Sequence, residues 1–135
     1  MSEGKKKDEG KLPWDLLPYD AVEAVVDVLK FGQAKYDARN WEKGIKQGRL
    51  FAAAQRHLTA WFQKGQDEDP ESGLSHLAHA ACTVLFMLAF VKRNRYDLDD
   101  RPGNLVDISL EEFLQETDEV LAGPEEPEDT EYDDS

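Results

Sequence analysis

The sequence predicts an all-α protein, a compact bundle of three main helices followed by a short C-terminal helix. Apolar residues are concentrated in three blocks, residues 21–31, 50–62 and 74–91, and within each block they recur at helical spacing. No segment shows the strict alternation that is typical of a half-buried strand. A chain of 135 residues has room for one core shared by these helices and not for two.

The first helix is expected over residues 20–36. Asp20 and Glu23 have the spacing of a capping box, in which two side chains satisfy backbone N–H groups of the first turn. The two prolines of the preceding segment, residues 12–18, predict extended backbone there. We expect the tryptophan and leucine side chains of that segment to dock on the domain.

The second and third helices are expected over residues 49–62 and 70–92. Gly65 follows the second helix as a C-terminal cap, whereas Asp69 and Pro70 predict the N-cap and first position of the third. The second half of the third helix is apolar on nearly every face, which indicates the central and most buried element. One stripe of the second helix is formed by Leu50, Ala53, Ala54, His57, Leu58 and Trp61.

A second capping-box pattern, at residues 109–112, opens a short fourth helix that is expected to run to about residue 121. The chain thus divides into a charged, disordered N-terminus (residues 1–11), one helical domain (residues 12–121) and an acidic, disordered tail (residues 122–135). A helix that is apolar on most faces, in so short a chain, favours a homo-oligomer over a monomer.

The net charge of -13 is distributed unevenly. Residues 1–106 contain 16 Lys and Arg against 16 Asp and Glu, whereas residues 107–135 contain 13 acidic residues and no base. Binding to a nucleic acid polymer requires a clustered basic face, so this class of partner is not expected. Binding of a single nucleotide requires only a few cations and usually a divalent metal, so a nucleotide is still a possible ligand.

The sequence also predicts a soluble, cytoplasmic protein without a membrane partner. Cys82 is the one cysteine and lies in an apolar helical pattern, so we expect a reducing compartment and a thiol that fills the core. The N-terminal lysines are followed by acidic residues and not by the apolar stretch of a signal peptide. Residues 74–91 begin too polar for a membrane span, with Ser75, His76 and His79.

All three histidines fall near the junction of the second and third helices, which a short loop makes antiparallel neighbours. His57 lies on the second helix, His76 and His79 are one turn apart on the third, and Asp69 and Glu71 lie between them. Imidazole and carboxylate ligands suit Mn, Fe or Zn, or Mg through the carboxylates. The alternatives are hydrogen-bonded core histidines and a solvated, acidic helix N-terminus.

Cations that could meet a phosphate beside such a metal are Arg56, Lys35 and Arg39, although Lys35 and Arg39 also fit an ordinary surface position. A stacking plane and an amide for a base are available from Tyr36, Asn40 and Trp41. The alternative role of Trp41 is hydrophobic anchoring of its loop.

These residues resemble a known family, the phage-associated dATP/dGTP diphosphohydrolases, which are MazG-like enzymes of the all-alpha nucleotide pyrophosphohydrolase type. The resemblance covers about residues 11–92, and its blocks occur in the family's order. The matching blocks are WDLLP (residues 14–18), FGQAKY (31–36), RNW (39–41), AAQRHL (53–58) and DPESGLSHLAHA (69–80).

The resemblance implies hydrolysis of a purine (deoxy)nucleoside triphosphate to the monophosphate and pyrophosphate, shaping the nucleotide pool during phage infection. It also implies a homo-oligomer, dimer or tetramer, that uses Mg or Mn in the host cytoplasm. The metal ligands would be Asp69, Glu71, His76 and His79. The catalytic residues would be Glu71, His79 and His57. Phosphate would be bound by Lys35 and Arg56, and the nucleoside by Tyr36, Asn40 and Trp41.

The sequence departs from the wider superfamily in one respect. That superfamily carries Glu-Glu-x-x-Glu on one helix and Glu-x-x-Asp on a later one, and none of the helices predicted here carries either motif; Glu23 and Asp27 are a partial echo. The histidines stand where carboxylates would be expected. Two other functions fit the same sequence, a non-catalytic nucleotide-binding module and an interaction protein that acts through its acidic tail.

Overall fold

The computed structural model describes residues 3–104, and three α-helices form most of this part of the chain. These are α1 (Tyr19–Lys35), α2 (Gln47–Phe62) and α3 (His76–Lys92). Short 3₁₀ turns lie at Trp14–Leu16, Asn40–Lys43, Tyr96–Leu98 and Pro102–Asn104. The all-helical class with three main helices is confirmed, and residues 3–104 contain no strand. The predicted fourth helix and acidic tail lie outside the described residues.

Helix α1 begins one residue earlier than predicted and without the expected capping box. Pro18 occupies the N-cap position, and its carbonyl accepts the first helical hydrogen bond from the Val22 N–H at 3.0 Å. Asp20 therefore lies inside the first turn, where its carboxylate accepts from the adjacent Ala21 N–H at 2.9 Å. The proline, whose φ already suits a helix, sets the start and displaces Asp20 from the cap.

The N-terminal segment does not dock on the domain as the sequence led us to expect. Residues 14–16 form a 3₁₀ turn, because the Leu16 and Leu17 N–H groups donate to the Pro13 and Trp14 carbonyls. This turn directs the apolar side chains outward. Their exposed fractions are 73% for Leu12, 65% for Trp14 and 75% for Leu16.

Helix α2 starts two residues before the predicted position, and α3 starts six residues after it. The prediction for α3 is wrong because residues 69–74 form a closed turn, in which the Asp69 N–H donates to the Leu74 carbonyl at 2.8 Å. Gly73 adopts φ +71°, a left-handed conformation that interrupts a helix. The N-cap of α3 is Ser75, whose hydroxyl accepts from the Leu77 and Ala78 N–H groups.

Helix α3 packs against both α1 and α2, and two apolar clusters form the core. Val28, Ala78 and Cys82 join α1 to α3, whereas Leu50 and Phe90 join α2 to α3. The buried position predicted for Cys82 is confirmed. None of the helices described here combines the length and apolar character that a membrane crossing requires.

The burial predicted for nearly every face of the third helix is wrong. The outer face of α3 is open, with Val84, Leu85, Leu88 and Val91 between 49% and 59% exposed. The stripe identified on α2 is buried from Leu50 to His57, and Leu58 and Trp61 at its end are 41% and 38% exposed. On both helices the apolar surface is wider than the area that the neighbouring helices among residues 3–104 cover.

Candidate metal centre and adjoining cavity

The loop between α2 and α3 fixes the site by its backbone hydrogen bonds. The His76 N–H donates to the Asp67 carbonyl at 2.9 Å, and Glu68 and Ser75 form an isolated antiparallel bridge. These bonds hold the acidic loop against the first turn of α3. The end of α2 and the start of α3 are consequently neighbours, as the antiparallel arrangement predicts.

The three histidines form one buried cluster at this junction. His57, His76 and His79 are 2%, 4% and 1% exposed. The Nδ1 atoms of His57 and His76 lie 2.9 Å apart, and the rings of His57 and His79 stack with centroids 4.6 Å apart and planes 8° from parallel. A cluster of this kind brings several nitrogen donors to one point inside the protein.

Asp69 adds a carboxylate to two of these imidazoles. One ligand atom from each of His57, Asp69 and His76 can be chosen such that all three lie within 4.8 Å of one another. Two nitrogens bound to one ion at about 2.05 Å lie about 2.9 Å apart at a right angle and about 3.3 Å apart at a tetrahedral angle. The observed 2.9 Å between the two Nδ1 atoms fits this separation.

The carboxylate of Asp69 is held in its ionised form. Partial burial acts to raise its pKa, but hydrogen bonds from the backbone and side chain of Ser72 and the proximity of His79 and His57 outweigh burial, so the pKa lies below its ordinary value. Asp69 Oδ2 accepts from the Ser72 N–H at 3.0 Å. An ionised carboxylate beside two imidazoles is a suitable ligand for a divalent cation.

The second ring nitrogen of His76, Nε2, is buried without a hydrogen-bond partner among the described residues. Buried polar atoms in native proteins are nearly always paired, and exceptions require an explanation such as an ion or a ligand. This atom, together with the Nδ1 pair, supports a ligand-binding role for the junction.

The remaining predicted ligands, His79 and Glu71, have other partners. His79 Nε2 forms a 2.7 Å hydrogen bond with the Ser72 hydroxyl, and the His79 ring is nearly perpendicular to the Phe31 ring, with centroids 6.3 Å apart. Glu71 is half-exposed and its carboxylate forms an ion pair with the Lys35 ammonium. The structure therefore brings Asp69 and His76 together with His57, which the sequence had placed among the catalytic residues.

The two predicted phosphate-binding cations occupy different surroundings. Lys35 is largely buried beside Glu71, with its Nζ 5.6 Å from the Tyr36 ring centroid. Arg56 lies on the exposed side of α2, whereas the adjacent His57 points into the core. Lys35 thus connects α1 to the acidic loop of the histidine cluster.

A cavity of about 660 Å³ adjoins the cluster and runs between α1, the loop after it and α3. His79 lines this cavity and also stacks on His57, so it belongs to both features. The predicted nucleoside-binding residues Tyr36, Asn40 and Trp41 line it as well. A cavity of this size falls within the range of small-molecule sites.

Trp41 has a structural role in addition to lining the cavity. Its ring stacks on Phe86 with centroids 4.4 Å apart and planes 11° from parallel, and the Arg93 guanidinium carbon lies 5.1 Å from the ring centroid. The hydrophobic anchoring considered from the sequence is therefore present. One indole both fixes the loop on α3 and shapes the cavity wall.

Two features of the site were missed from the sequence. Arg49 lines the cavity from the first turn of α2. The sequence signal for this residue would have been a predicted start of α2 at residue 47, which places Arg49 inside the first turn. Ser72 bonds both Asp69 and His79 from inside the closed turn, which the predicted longer helix concealed. Arg39, which the sequence did single out, also lines the cavity and has φ +61°, a strained conformation that is common at functional sites.

Comparison with known proteins gives two matches. A family model described as dATP/dGTP diphosphohydrolase, N-terminal, matches residues 1–101. The chain is similar to a protein of Salmonella phage PMBT28 named dATP/dGTP diphosphohydrolase, with 41% identity over 98 residues, which cover 73% of this chain and 33% of the relative. The chain therefore spans about a third of the length of this curated relative. No solved structure matches it.

Proposed function

The chain belongs to the dATP/dGTP diphosphohydrolase family by its N-terminal domain, and from that membership we propose that it hydrolyses purine (deoxy)nucleoside triphosphates. Water adds to the α phosphorus, the bond to the bridging oxygen breaks, and the products are the nucleoside monophosphate and pyrophosphate. One observation carries the proposal. The buried histidine cluster with Asp69 adjoins the 660 Å³ cavity, and His79 is shared between them.

The proposed metal ligands are His57, Asp69 and His76. A divalent cation held there would neutralise phosphate charge and lower the pKa of a water molecule. Two imidazoles and one carboxylate suit Mn, Fe or Zn better than Mg, which prefers oxygen ligands. Of the two metals implied by the family resemblance, Mg and Mn, the donor set favours Mn.

His79 is proposed as the acid–base residue of the reaction. Its imidazole lines the cavity, and its Nε2 is oriented by the Ser72 hydroxyl at 2.7 Å. An imidazole so placed is suited to accept a proton from attacking water and to release it afterwards. Ser72 acts as a positioning residue, since it fixes both this imidazole and the Asp69 carboxylate.

Positive charge for the phosphates is proposed to come from Lys35 and from the cavity arginines Arg39 and Arg49. The Lys35 ammonium now pairs with the Glu71 carboxylate at the cluster. A triphosphate that approaches the metal would compete with Glu71 for this lysine. The Glu71 carboxylate would then be available to accept a proton or to bind the metal. The phosphate-binding role of Arg56 stays a prediction from the sequence, because this residue lies on the exposed side of α2.

The nucleoside is proposed to bind in the same cavity, among Tyr36, Asn40 and Trp41. Tyr36 and Trp41 offer aromatic surfaces, and Asn40 offers an amide that can both donate to and accept from a purine edge. The phosphates would lie near Lys35 and the histidine cluster. The preference for a purine follows from the family membership alone.

One assay tests the proposed activity. The full chain is incubated with each (deoxy)nucleoside triphosphate and Mn or Mg, and the products are resolved by anion exchange. Monophosphate and pyrophosphate in equal amounts, from purine substrates and with Mn, are expected. Binding without any product would support the non-catalytic module instead. Removing residues 124–135 should leave the rate unchanged, and a large loss would favour a function of the acidic tail.

We further propose that the chain acts as a homo-oligomer, a dimer or tetramer, in the cytoplasm of a phage-infected host. Support for the oligomer comes from the exposed side chains of Leu12, Trp14 and Leu16, an apolar surface that a monomer rarely leaves open. Light scattering after size exclusion should give a multiple of the 15.3 kDa chain mass. A mass of one chain at all concentrations would refute the oligomer.

A further inference from the structure

One wall of the cavity is a continuous stretch of chain, the loop that joins α1 to α2. All seven residues of the segment 36–42 line the cavity. Within this loop Arg39 has φ +61°, and a non-glycine residue keeps such a conformation only where the surrounding structure holds it. The contacts that hold the loop therefore also determine the shape of the proposed nucleoside site.

Arg93 makes two of these contacts from the end of α3. Its Nη1 donates to Glu42 Oε1 at 3.1 Å, and its guanidinium carbon lies 5.1 Å from the centroid of the Trp41 ring. Glu42 and Trp41 are neighbours in the loop. A planar guanidinium suits this double contact, because it can hydrogen-bond a carboxylate and also pack on an aromatic ring. One side chain thus ties the loop to α3.

The backbone of Arg93 belongs to the well-ordered end of α3. Arg93 is the C-cap residue of this helix, and its N–H donates to the Ala89 carbonyl at 2.9 Å. Phe90, in the same turn, is 1% exposed and contacts the Trp41 ring with centroids 5.6 Å apart. The Arg93 side chain consequently extends from a part of the fold that is fixed by the core and not by the loop.

Arg93 is not one of the described residues that line the cavity, and its side chain is 52% exposed. It differs in this respect from Arg39 and Arg49, which do line the cavity. A nucleotide bound in the cavity would be influenced by Arg93 through the loop.

Given the nucleotide hydrolysis proposed above, we propose that Arg93 is a positioning residue for the nucleoside. By holding Trp41 and Glu42 on the end of α3, it keeps Asn40 and Trp41 in the arrangement that accepts the base. Loss of Arg93 should weaken binding of the nucleoside part of the substrate and leave binding of the phosphates unchanged. An exposed cation–π contact and an exposed ion pair are each weak, so an effect of about three- to tenfold is expected.

The test measures the Kd of two probes by calorimetry with the full chain and Mn²⁺. One probe is the α,β-methylene analogue of dATP or dGTP, which cannot be cleaved between the α and β phosphates, and the other is tripolyphosphate, which lacks a nucleoside. Arg93→Gln should raise the Kd of the analogue about three- to tenfold and change that of tripolyphosphate by less than about twofold. In steady-state kinetics the same variant should raise KM and leave kcat unchanged.

Three further variants sharpen the test. Arg93→Lys keeps a cation beside Glu42 and Trp41 and should restore most of the lost affinity. Arg93→Met, which keeps only the apolar stem, should behave as Arg93→Gln, and circular dichroism checks that each variant is folded. Lys92→Gln is the matched control, since it removes the same charge from an exposed neighbouring position, and both Kd values should stay unchanged.

An analogue Kd that is unchanged in folded Arg93→Gln or Arg93→Met would refute the role of Arg93 and leave the proposed function intact. Equal weakening of the analogue and tripolyphosphate would also overturn the role, because Arg93 would then act through its charge on the phosphates. If the unaltered chain binds neither analogue, the proposed function and the role of Arg93 are both wrong.

Discussion

The Nδ1 atoms of His57 and His76 lie 2.9 Å apart although 19 positions separate the two residues in the chain. Two helices and a closed turn are required to create this pair. The pair can be a hydrogen bond between two neutral imidazoles or the two nitrogen ligands of one cation. The nearby Asp69 carboxylate favours the second interpretation.

The first prediction concerns metal binding. Mn²⁺ at 100 times its Kd should stabilise the folded chain by about 2.7 kcal/mol, which raises the Tm of a domain of this size by roughly 10 °C or more. Mg²⁺ should give a smaller shift at equal concentration. His57→Asn and His76→Asn should each abolish the Mn²⁺ shift, whereas Asp8→Asn should retain it. Thermal unfolding in metal-free buffer with added Mn²⁺ or Mg²⁺ measures this, and equal shifts in all variants would exclude the site.

The second prediction separates chemistry from binding. His79→Ala should lower kcat by at least about 100-fold, since a positioned acid–base group contributes this much or more. Glu71→Gln should also abolish turnover if the carboxylate takes part once Lys35 has moved to the phosphates. Steady-state kinetics gives the effect, and circular dichroism checks that both variants stay folded. Full activity of either folded variant would remove that residue from the catalytic set.

The helices could be predicted from the sequence because apolar spacing reports local structure directly. The starts of α1 and α3 could not, because each depends on a competition between two plausible caps. Asp69 followed by Pro70 has the pattern of a helix start, but the left-handed Gly73 and the Ser75 hydroxyl move that start by six residues. This displacement places Asp69 and Ser72 in a turn, where their side chains can face the histidines.

The site itself was predictable as a region but not as a set of contacts. The convergence of three histidines followed from helix pairing, yet the choice of partners did not. His57 meets His76 through Nδ1, and His79 meets Ser72 through Nε2, although the His57 and His79 rings are stacked. Ring orientation of this kind depends on tertiary packing and has no signature in residue spacing.

The third prediction compares two arginines of the same helix. Arg49 lines the cavity, whereas Arg56 lies on the exposed side of α2. Arg49→Gln should raise the KM for the nucleotide at least about tenfold, as expected when a charged hydrogen bond to phosphate is lost. Arg56→Gln should change KM by less than about threefold. The reverse order would place the phosphates near Arg56, as first predicted from the sequence, and away from the cavity.

The fourth prediction is a dependence of stability on acid pH. Because the pKa of Asp69 is lower in the folded protein than its ordinary value of 3.8, folding favours the ionised carboxylate. Its contribution is complete above the unfolded pKa and is lost as pH falls through the folded pKa. Urea unfolding without metal should therefore show a smaller loss of stability from pH 5 to pH 3 in Asp69→Asn than in the wild type. Asp8→Asn should behave as the wild type, and identical slopes in all three proteins would contradict the prediction.

The fifth prediction concerns Cys82, whose burial raises the pKa of its thiol to about 12. The reactive form is the thiolate, so iodoacetamide at pH 8 should modify the native chain at least about 100-fold more slowly than the urea-unfolded chain.

The raised pKa of Cys82 also makes the stability of the folded chain depend on alkaline pH. Between pH 9 and pH 12 the unfolded thiol loses its proton before the folded one, so wild-type stability should fall with pH by up to about 1.4 kcal/mol per unit. Cys82→Ala lacks this component, and its stability should fall less steeply from pH 9 to pH 10.5. Equal slopes, or rapid modification of the folded chain, would show that the thiol is accessible to solvent.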